Sequence, residues 1–193
     1  MLQEHANEIR SIEDQILVLK EKLASLRQTA KAEEQQKPVE NYTFTQIGDV
    51  PARLEDLFGD HNDLFVIHNM GRRCSYCTLW GDGINGVAHQ IQRRAGLVLV
   101  SPDDPTAQAE FARDRGWTFA MASTADGGTF SRDMGFEDEQ GRALPGVSAF
   151  HRDALDGTIV RTGCATFGPG DPFCIVFPLF ELLKDGASGW QPE

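Results

Sequence analysis

Apolar residues recur with a heptad spacing near the N-terminus of the chain. They alternate at intervals of three and four residues, with no glycine or proline before Pro38: Ile9, Ile12, Ile16, Leu19, Leu23 and Leu26. The spacing predicts one helix over residues 1–36 with an a/d seam along one side. Such a seam is typical of a coiled coil or helical hairpin, and a helix packed on its own domain is the competing interpretation.

The charges beside this seam favour one direction of pairing between two copies. A parallel pair would bring like charges together, as with Glu8 and Glu13. An antiparallel pair would instead bring Glu13 close to Lys20. Each contact of this kind contributes only a few tenths of a kcal/mol. We therefore predict a homodimer in which the N-terminal helices run antiparallel.

The pattern changes after the helical arm. Lys31 to Glu40 is largely polar and charged and contains Pro38, which predicts a linker at residues 37–41 or a fraying helix end. Tyr42 to Thr45 alternates as in a short edge strand, and Leu54 to Phe58 suits a helical turn before Gly59. Leu64 to Ile67 is a continuous apolar run, which is typical of a strand buried on both faces of a parallel sheet.

Strands and helices then alternate through the middle of the chain. The segments predicted are a helix from Ile84 to Ala95, a strand from Leu97 to Val100, a helix capped by Asp103 or Asp104 with Pro105 at its first position, and a strand from Trp117 to Ala122. This order predicts βαβ units with a parallel sheet, hence an α/β fold.

The last third has a different organisation. Predicted here are a short helix from Thr129 to Phe136, a strand entered at Pro145, a two-residue turn at Asp156-Gly157, a partner strand from Thr158 to Arg161, and a helix from Pro178 to Lys184 with the proline first. The chain thus predicts a helical arm over residues 1–36 and one α/β domain over residues 42–193.

A C-x-x-C sequence, Cys74 to Cys77, follows the first buried strand where a helix would begin. Residues three apart on a helix lie about 5–6 Å from each other, within the Cα separation that a disulfide tolerates. The helix start and the neighbouring Arg72 and Arg73 both favour a thiolate on Cys74. We therefore predict that Cys74 attacks a substrate disulfide and that Cys77, further into the helix, resolves the product.

Two other interpretations of these residues are less favoured. Zinc and iron–sulfur sites need further ligands, and the other two cysteines, Cys164 and Cys174, lie about ninety residues further along. No metal or other cofactor is therefore expected. Gly81 to Gly86 formally matches G-x-G-x-x-G, but the match follows the C-x-x-C turn instead of a strand. The pattern favours a loop rich in glycine over a dinucleotide site.

The amino-acid composition and net charge limit the classes of binding partner. Hydrophobic residues make up 40% of the 193, as in an ordinary globular protein, and the net charge is −11 with a pI near 4.8. An acidic protein of this kind is not expected to bind nucleic acid or anionic membranes. Without a long apolar run or a signal-peptide pattern, a cytoplasmic location is expected. In that compartment a C-x-x-C is more often catalytic or metal-binding than structural.

The order of these elements resembles the thioredoxin fold, with a central mixed sheet flanked by helices. More specific residues carry a second likeness: Tyr42-Thr43-Phe44, Leu54-x-x-Leu57-Phe58, His68 ahead of Cys74-x-x-Cys77, Trp80-x-Asp82-Gly83-x-Asn85-Gly86, Gly116-Trp117, Ser123, Phe130-x-x-Asp133-x-Gly135 and Gly146-Val147-Ser148-x-Phe150. With these residues the chain resembles the thioredoxin-like bacterial proteins of the DUF899 type, over roughly residues 40 to 180.

The likeness to thioredoxins implies roles for residues outside the C-x-x-C. Pro145 stands where thioredoxins have a cis-proline that faces the active-site disulfide, so the backbone at Pro145 and Gly146 is expected to align an incoming chain. His68 stands six residues before Cys74, where thioredoxins have a buried acid. A histidine there is expected to accept the Cys77 proton, and a structural histidine is the alternative.

Other relatives limit the chemistry. Cys-Ser-Tyr-Cys is similar to the dithiol site of some glutaredoxins, which keeps an iron–sulfur cluster as an alternative. In peroxiredoxins the nucleophile follows P-x-x-x-T-x-x-C, and the threonine position is here Gly71. A disulfide exchanger is therefore expected before a self-contained peroxidase, with peroxide still open as an oxidant of the dithiol.

The expected function is that of a cytoplasmic thiol–disulfide oxidoreductase acting on protein or small-molecule disulfides and thiols. Tyr76 and Trp80, with Arg72 and Arg73, are candidates to contact the substrate, although Trp80 equally suits packing under its helix. Cys164 and Cys174 form a possible second redox pair, with buried free thiols as the favoured alternative. A non-catalytic thioredoxin-like assembly module is the competing function.

Overall fold

Seven strands form one mixed sheet with helices on both sides. The computed structural model describes residues 2–34, 37–125 and 128–193. In chain order its elements are α1 (Leu2–Glu34), β1 (Thr43–Gln46), β2 (Val50–Arg53), a 3-10 helix (Leu54–Phe58), β3 (Asp63–His68), α2 (Ser75–Ile91), β4 (Gly96–Ser101), α3 (Pro105–Arg115), β5 (Ala120–Ser123), α4 (Phe130–Asp133), β6 (Gly146–Arg152), β7 (Ile159–Thr166) and α5 (Val176–Phe180). The predicted α/β class and the long N-terminal helix are confirmed.

The strands lie in the order β2-β1-β5-β4-β3-β6-β7. Strands β3, β4 and β5 are parallel and are joined through α2 and α3, which confirms the predicted βαβ units. Strands β6 and β7 add an antiparallel hairpin beside β3. The carboxyl ends of β3, β4 and β5 therefore share one edge of the sheet, and the C-x-x-C follows β3 at that edge.

The two faces of the sheet bury separate apolar clusters because side chains alternate along each strand. Strand β4 shows the division most clearly, with Val98 and Val100 on one face and Leu97 and Leu99 on the other. The first face packs against the 3-10 helix and α4. The second face packs against α2 and α3. The site at the head of α2 thus belongs to the second face.

Helix α2 corrects two expectations about the glycine-rich segment. The helix runs from the cysteines through Gly81, Gly83 and Gly86, where a loop and a separate helix from Ile84 were expected. At Gly81 a Cβ atom would lie 2.4 Å from Cζ2 of Trp117, so the missing side chain lets this ring pack directly on the helix. Tertiary packing has overridden the low helix propensity of glycine here.

The sheet is also wider than expected. Strand β1 is not at the edge, because β2 pairs with it on one side and β5 on the other. The turn between β1 and β2 uses positive φ at Gly48 (86°) and Asp49 (59°). Strand β2 was not predicted, since it is short, contains Pro51 and has only one buried residue, Ala52.

Several boundaries in the second half differ from expectation. Strand β5 starts at Ala120 and not at Trp117, and the β6–β7 connection covers residues 153–158 in place of a two-residue turn. Pro178 is the third residue of the five-residue α5, not the first residue of a longer helix. The peptide bond preceding Pro145 is trans. Asp104 caps α3, and Gly116 ends it in a left-handed conformation, as the pattern predicts.

Helix α1 is exposed along its whole described length. Each side chain described, at positions 5–30 and 32, is exposed to solvent, including the six apolar residues of the heptad seam. After the helix in sequence, Val39 N–H donates to Ile159 O at 2.7 Å and so joins the segment between α1 and β1 to β7. Met1, Gln35 and Gln36 of the predicted 1–36 arm lie outside the described residues. Within the described ranges, no helix is both long and apolar enough to cross a membrane.

Candidate dithiol site

Cys74 is the N-cap residue of α2, where the loop after β3 turns into the helix. Its backbone is extended (φ −93°, ψ 98°), and its Sγ accepts a hydrogen bond from Cys77 N–H at 3.2 Å. A side-chain acceptor at this position satisfies one of the N–H groups that the start of a helix leaves unpaired. Cys74 is also partly exposed. The first turn of α2 therefore donates an N–H group to a sulfur that solvent reaches.

Cys77 has a different environment although it lies in the same helical turn. It is only 3% exposed. Burial, followed by the hydrogen bond with Cys74, raises the pKa of the Cys77 thiol to about 12. Cys77 is therefore a protonated thiol at neutral pH while its partner is in contact with solvent.

The loop between β3 and α2 is held by hydrogen bonds from side chains. Asn69 Oδ1 accepts from Gly71 N–H at 2.7 Å, and Asp103 Oδ2 accepts from Arg72 N–H at 2.7 Å. Cys74 N–H then donates to Gly71 O at 3.0 Å, where Gly71 has φ of 100°. The side chains of Arg72 and Arg73 are exposed. The two positive charges beside Cys74 are thus accessible to a substrate.

The aromatic residues of the first turns of α2 differ in exposure. The rings of Tyr76 and Trp80 have centroids 6.3 Å apart. Trp80 is buried and stacks on Phe167, with centroids 5.5 Å apart. Tyr76 is only partly buried. Of these two candidates for substrate contact, Tyr76 remains available, and Trp80 packs beneath the helix.

Met70 is a neighbour of the site that the sequence did not reveal. Its Sδ lies 3.9 Å from Cys74 Sγ, and the residue is 42% exposed. Methionine in a loop has no periodic pattern that would mark it as a site residue. Only the fold of the loop shows that Met70 adds a polarisable, apolar surface beside the sulfur.

His68 does not lie where the prediction placed it. Its ring stacks on Phe136, with centroids 3.8 Å apart, and its Nε2 is 3.0 Å from Ser148 Oγ. The His68 ring also stacks on Phe130, with centroids 5.5 Å apart, and Phe130 belongs to the first face of the sheet, whereas the buried residues of α2 pack on the second. Burial lowers the pKa of His68 to about 3, and the charge of Arg161 lowers it further.

These facts correct the predicted role of His68. The residue shares strand parity with Leu64 and Val66, so its ring enters the first apolar cluster. An imidazole whose conjugate acid has a pKa near 3 is also too weak a base for a thiol with a pKa near 12. The alternative of a buried, hydrogen-bonded structural histidine fits the structure.

Pro145 and Gly146 have contacts within the sheet. Gly146 pairs with His68 on β3 and with Thr166 on β7. A Cβ atom on Gly146 would lie 2.2 Å from Cε1 of Phe136, so the glycine leaves room for that ring. Pro145 O accepts a hydrogen bond from Phe167 N–H at 3.0 Å. These contacts give both residues a structural role in the sheet, and the expected alignment of an incoming chain stays a prediction.

The second pair of cysteines is divided between two environments. Cys164 is exposed on β7, opposite Ser148 in register, whereas Cys174 is buried in the second apolar cluster. All four cysteines are free thiols. Across residues 2–34, 37–125 and 128–193, no group of three or more His, Cys, Asp or Glu side chains could hold a metal ion. The burial of Cys174 fits the favoured alternative of packing as a small apolar residue.

Polar residues of α2 attach the helix to the segment before β5. Asp82 Oδ1 accepts from Trp117 Nε1–H at 2.8 Å. Asn85 Oδ1 accepts from Thr118 N–H at 2.8 Å, and Asn85 Nδ2–H donates to Gly116 O at 3.0 Å. These bonds explain the run Trp80-x-Asp82-Gly83-x-Asn85-Gly86 as a docking surface of the helix that carries the cysteines.

Comparison with solved structures shows the fold. The chain is similar to peroxidoxin BcpB from Mycobacterium tuberculosis (TM-score 0.54, 22% identity, 67% of this chain and 83% of that chain). It is similar to a cysteine-to-serine mutant of PrxQ from Xylella fastidiosa (0.56, 14%, 67% and 83%), and to reduced Prx3 of Vibrio vulnificus in complex with H2O2 (0.54, 18%, 71% and 89%). These likenesses confirm the predicted thioredoxin-like fold.

Sequence comparison gives the family. None of the curated proteins matches this chain. A family model described as "Bacterial protein of unknown function (DUF899)" matches residues 4–189, nearly the whole sequence. The match includes the N-terminal helix as well as the sheet, and so extends beyond the region in which the sequence motifs were found. The chain therefore belongs to the DUF899 family of bacterial proteins.

Proposed function

We propose that the protein is a thiol–disulfide oxidoreductase that uses Cys74 and Cys77. One observation carries the proposal: a partly exposed N-cap sulfur accepts the N–H of a buried, protonated cysteine in the same helical turn. The N–H donor and the helix start direct positive partial charge at Cys74 Sγ, where the proposed nucleophile lies, and the second thiol is close enough to attack a bond formed there. Substrates are disulfides of proteins or small molecules.

The proposed reaction has two exchange steps. The Cys74 thiolate attacks one sulfur of a substrate disulfide, forms a mixed disulfide and releases the first substrate thiolate. Cys77 then loses its proton and attacks Cys74 Sγ. This step forms the Cys74–Cys77 disulfide and releases the second substrate thiolate, so that one disulfide is reduced and one is formed.

The first step also prepares Cys77 for the second. Part of the rise in the pKa of Cys77 comes from the hydrogen bond and the charge of Cys74. Formation of the mixed disulfide removes the negative charge from Cys74, so this contribution disappears. The released substrate thiolate or water accepts the Cys77 proton, and His68 takes no part.

The substrate would approach over the exposed loop. Arg72 and Arg73 supply positive charge there, which attracts acidic substrates to a protein that is otherwise acidic. Met70, which contacts Cys74, and the partly buried Tyr76 two residues after Cys74 supply apolar contact. These four residues are the proposed recognition surface.

Turnover of a model disulfide tests the proposal. With hydroxyethyl disulfide and a dithiol reductant, the metal-free protein should turn over, and Cys74→Ser should lose at least about a hundredfold in rate. Cys77→Ser should retain the first step and accumulate a mixed disulfide on Cys74, visible by mass spectrometry. Cys164→Ser is the matched control and should keep the wild-type rate. Absence of turnover by the wild-type protein would favour the assembly-module alternative.

Peroxide is a second candidate oxidant for the same thiol. One fold neighbour is a peroxiredoxin in complex with H2O2. Here the Cys74 thiolate would attack the O–O bond and become a sulfenic acid with loss of hydroxide, and Cys77 would then form the disulfide with loss of water. Position 71 is glycine, so the threonine typical of peroxiredoxins is missing. Rates with H2O2 and with hydroxyethyl disulfide, measured on the same preparation, distinguish the two oxidants.

We also propose that α1 pairs with α1 of a second copy, as an arm beside the α/β domain of residues 42–193. The six seam residues are 44–64% exposed in the single chain, which is a large apolar surface to leave in water. An antiparallel arrangement brings Glu13 near Lys20. The occupant of the seam is therefore a second copy of the same helix.

A further inference from the structure

Two adjacent aspartates after β4 have separate tasks. Asp104 Oδ1 accepts from Ala107 N–H at 2.9 Å and caps α3. Asp103 turns the other way, and its Oδ2 accepts from Arg72 N–H at 2.7 Å. Asp103 therefore connects the end of β4 to the loop that leads into Cys74, two residues before the reactive sulfur.

A chain of hydrogen bonds from Gln108 through Ser101 holds the Asp103 carboxylate in place. Gln108 Nε2–H donates to Ala122 O and to Ser101 Oγ, each at 3.0 Å. Ser101 Oγ also accepts from Asp103 N–H at 3.3 Å. With its acceptor sites used in this way, the Ser101 hydroxyl proton is directed to Asp103 Oδ2, 3.3 Å away. Gln108 and Ser101 are buried, so the chain rests on the core.

The loop is shaped to receive this carboxylate. A Cβ atom at position 71 would lie 3.0 Å from Asp103 Oδ2 and 3.2 Å from Asp103 Oδ1. Gly71 also has φ of 100°, which an L side chain rarely adopts. Glycine at this position thus permits both the turn and the close approach of Asp103. Ser123 Oγ–H fixes the backbone from β5, because it donates to Asp103 O at 2.7 Å.

We propose that Asp103 is a positioning residue for Cys74. By holding Arg72 N–H it fixes the turn from Gly71 to Cys74, and this turn keeps Cys74 at the N-cap with its sulfur on Cys77 N–H. Asp103 does not touch the reacting sulfur. The inference rests on the proposed dithiol reaction, which gives the position of Cys74 its catalytic meaning. Asp103 thus links the dithiol loop to Ser101 of β4 and Ser123 of β5 through hydrogen bonds.

Amide exchange tests the contact without reference to activity. In reduced protein, Asp103→Ala should lower hydrogen-exchange protection at the Arg72 amide by roughly tenfold or more, because a hydrogen bond to a charged group is lost. Asp103→Asn keeps an acceptor oxygen and should keep most of the protection. Asp104→Ala is the matched control: it should lose protection at Ala107 and not at Arg72. Equal protection of Arg72 in wild type and Asp103→Ala would overturn the proposal.

Turnover then tests the consequence for the thiol. We expect kcat for hydroxyethyl disulfide to fall about tenfold in Asp103→Ala and to return to within about twofold of wild type in Asp103→Asn. Asp104→Ala also loses a cap, at a cost of about 1 kcal/mol in stability, but should keep the wild-type kcat. An unchanged kcat in Asp103→Ala, or an equal fall in Asp104→Ala, would overturn the positioning role.

The two measurements separate the proposals. If the wild-type protein has no dithiol turnover but the Arg72 amide behaves as expected, the proposed function fails while the contact made by Asp103 is established. If turnover depends on Cys74 and is indifferent to Asp103→Ala, the proposed function stands and the positioning role fails.

Discussion

At the scale of single residues, burial keeps two groups near the carboxyl end of β3, Cys77 and His68, uncharged at neutral pH. Cys77 is a buried thiol, and His68 is a buried imidazole with its Nε2 on Ser148. Burial disfavours the charged form of each group, and the charges of Arg161 beside His68 and of Cys74 beside Cys77 shift the two pKa values in the same direction as burial. The carboxyl end of β3 therefore combines a sulfur near solvent with neutral groups inside.

The burial of His68 predicts an acid-sensitive fold. The pKa of His68 is about 3 in the folded protein and about 6.5 in an unfolded chain. Its contribution to stability is therefore complete above pH 6.5 and decreases as the pH falls towards 3, because only the unfolded state takes up the proton. Between pH 6.5 and 4.5 the free energy of unfolding should fall by about 1 kcal/mol per pH unit from this residue.

Urea unfolding at pH 7, 5.5 and 4.5 checks the contribution of His68. His68→Gln keeps a polar partner for Ser148 without the titration, so its stability should depend less on pH over this interval. His89→Gln, at an exposed position on α2, is the control and should follow the wild-type curve. Parallel pH curves for wild type and His68→Gln would contradict the prediction.

At the scale of elements, α2 shows how one glycine differs from its neighbours. Gly81→Ala would place a methyl group 2.4 Å from the ring of Trp117, and this ring must then leave its contact with Asp82. We expect a loss of about 1–3 kcal/mol in the free energy of unfolding. Gly83 and Gly86 have nothing within 4 Å of an added Cβ. Alanine there should stabilise the helix by about 0.5–1 kcal/mol each, and urea unfolding of the three variants checks the contrast.

The contrast between these glycines also shows what the sequence could predict. The continuous apolar runs of β3 and β4 and the cap at Asp104 are local signals, and the structure has the two strands and the cap at these positions. The position of Gly81 under Trp117 depends on residues 36 apart, so local propensity indicated a loop. Likewise, the pair of cysteines is visible in the sequence. The sequence does not show which helices cover which face of the sheet, so it could not predict that His68 points away from the face covered by α2.

At the scale of the whole molecule, we predict from the exposed apolar seam of α1 that two copies pair through this helix in antiparallel orientation. The helix is about 50 Å long at 1.5 Å per residue, and an isolated helix has little stability of its own in water. Leu19→Asp places a charge in the seam of both copies and should weaken association by roughly a hundredfold or more. Leu17→Asp is the matched control, since Leu17 is exposed but lies outside the seam. Light scattering against the monomer mass of 21.3 kDa measures the result.

Charge reversal determines the direction of the pair. In the antiparallel arrangement, Glu13→Lys opposes Lys20 of the second copy at two symmetric places, and the dissociation constant should rise about fivefold. Lys20→Glu should have the same effect, and the double variant should restore the wild-type constant because opposite charges meet again. In a parallel pair, residues 13 and 20 are too far apart along the helix to compensate each other. Failure of the double variant to restore association would therefore exclude the antiparallel pair, and a monomeric wild type at about 100 μM would exclude the helical dimer altogether.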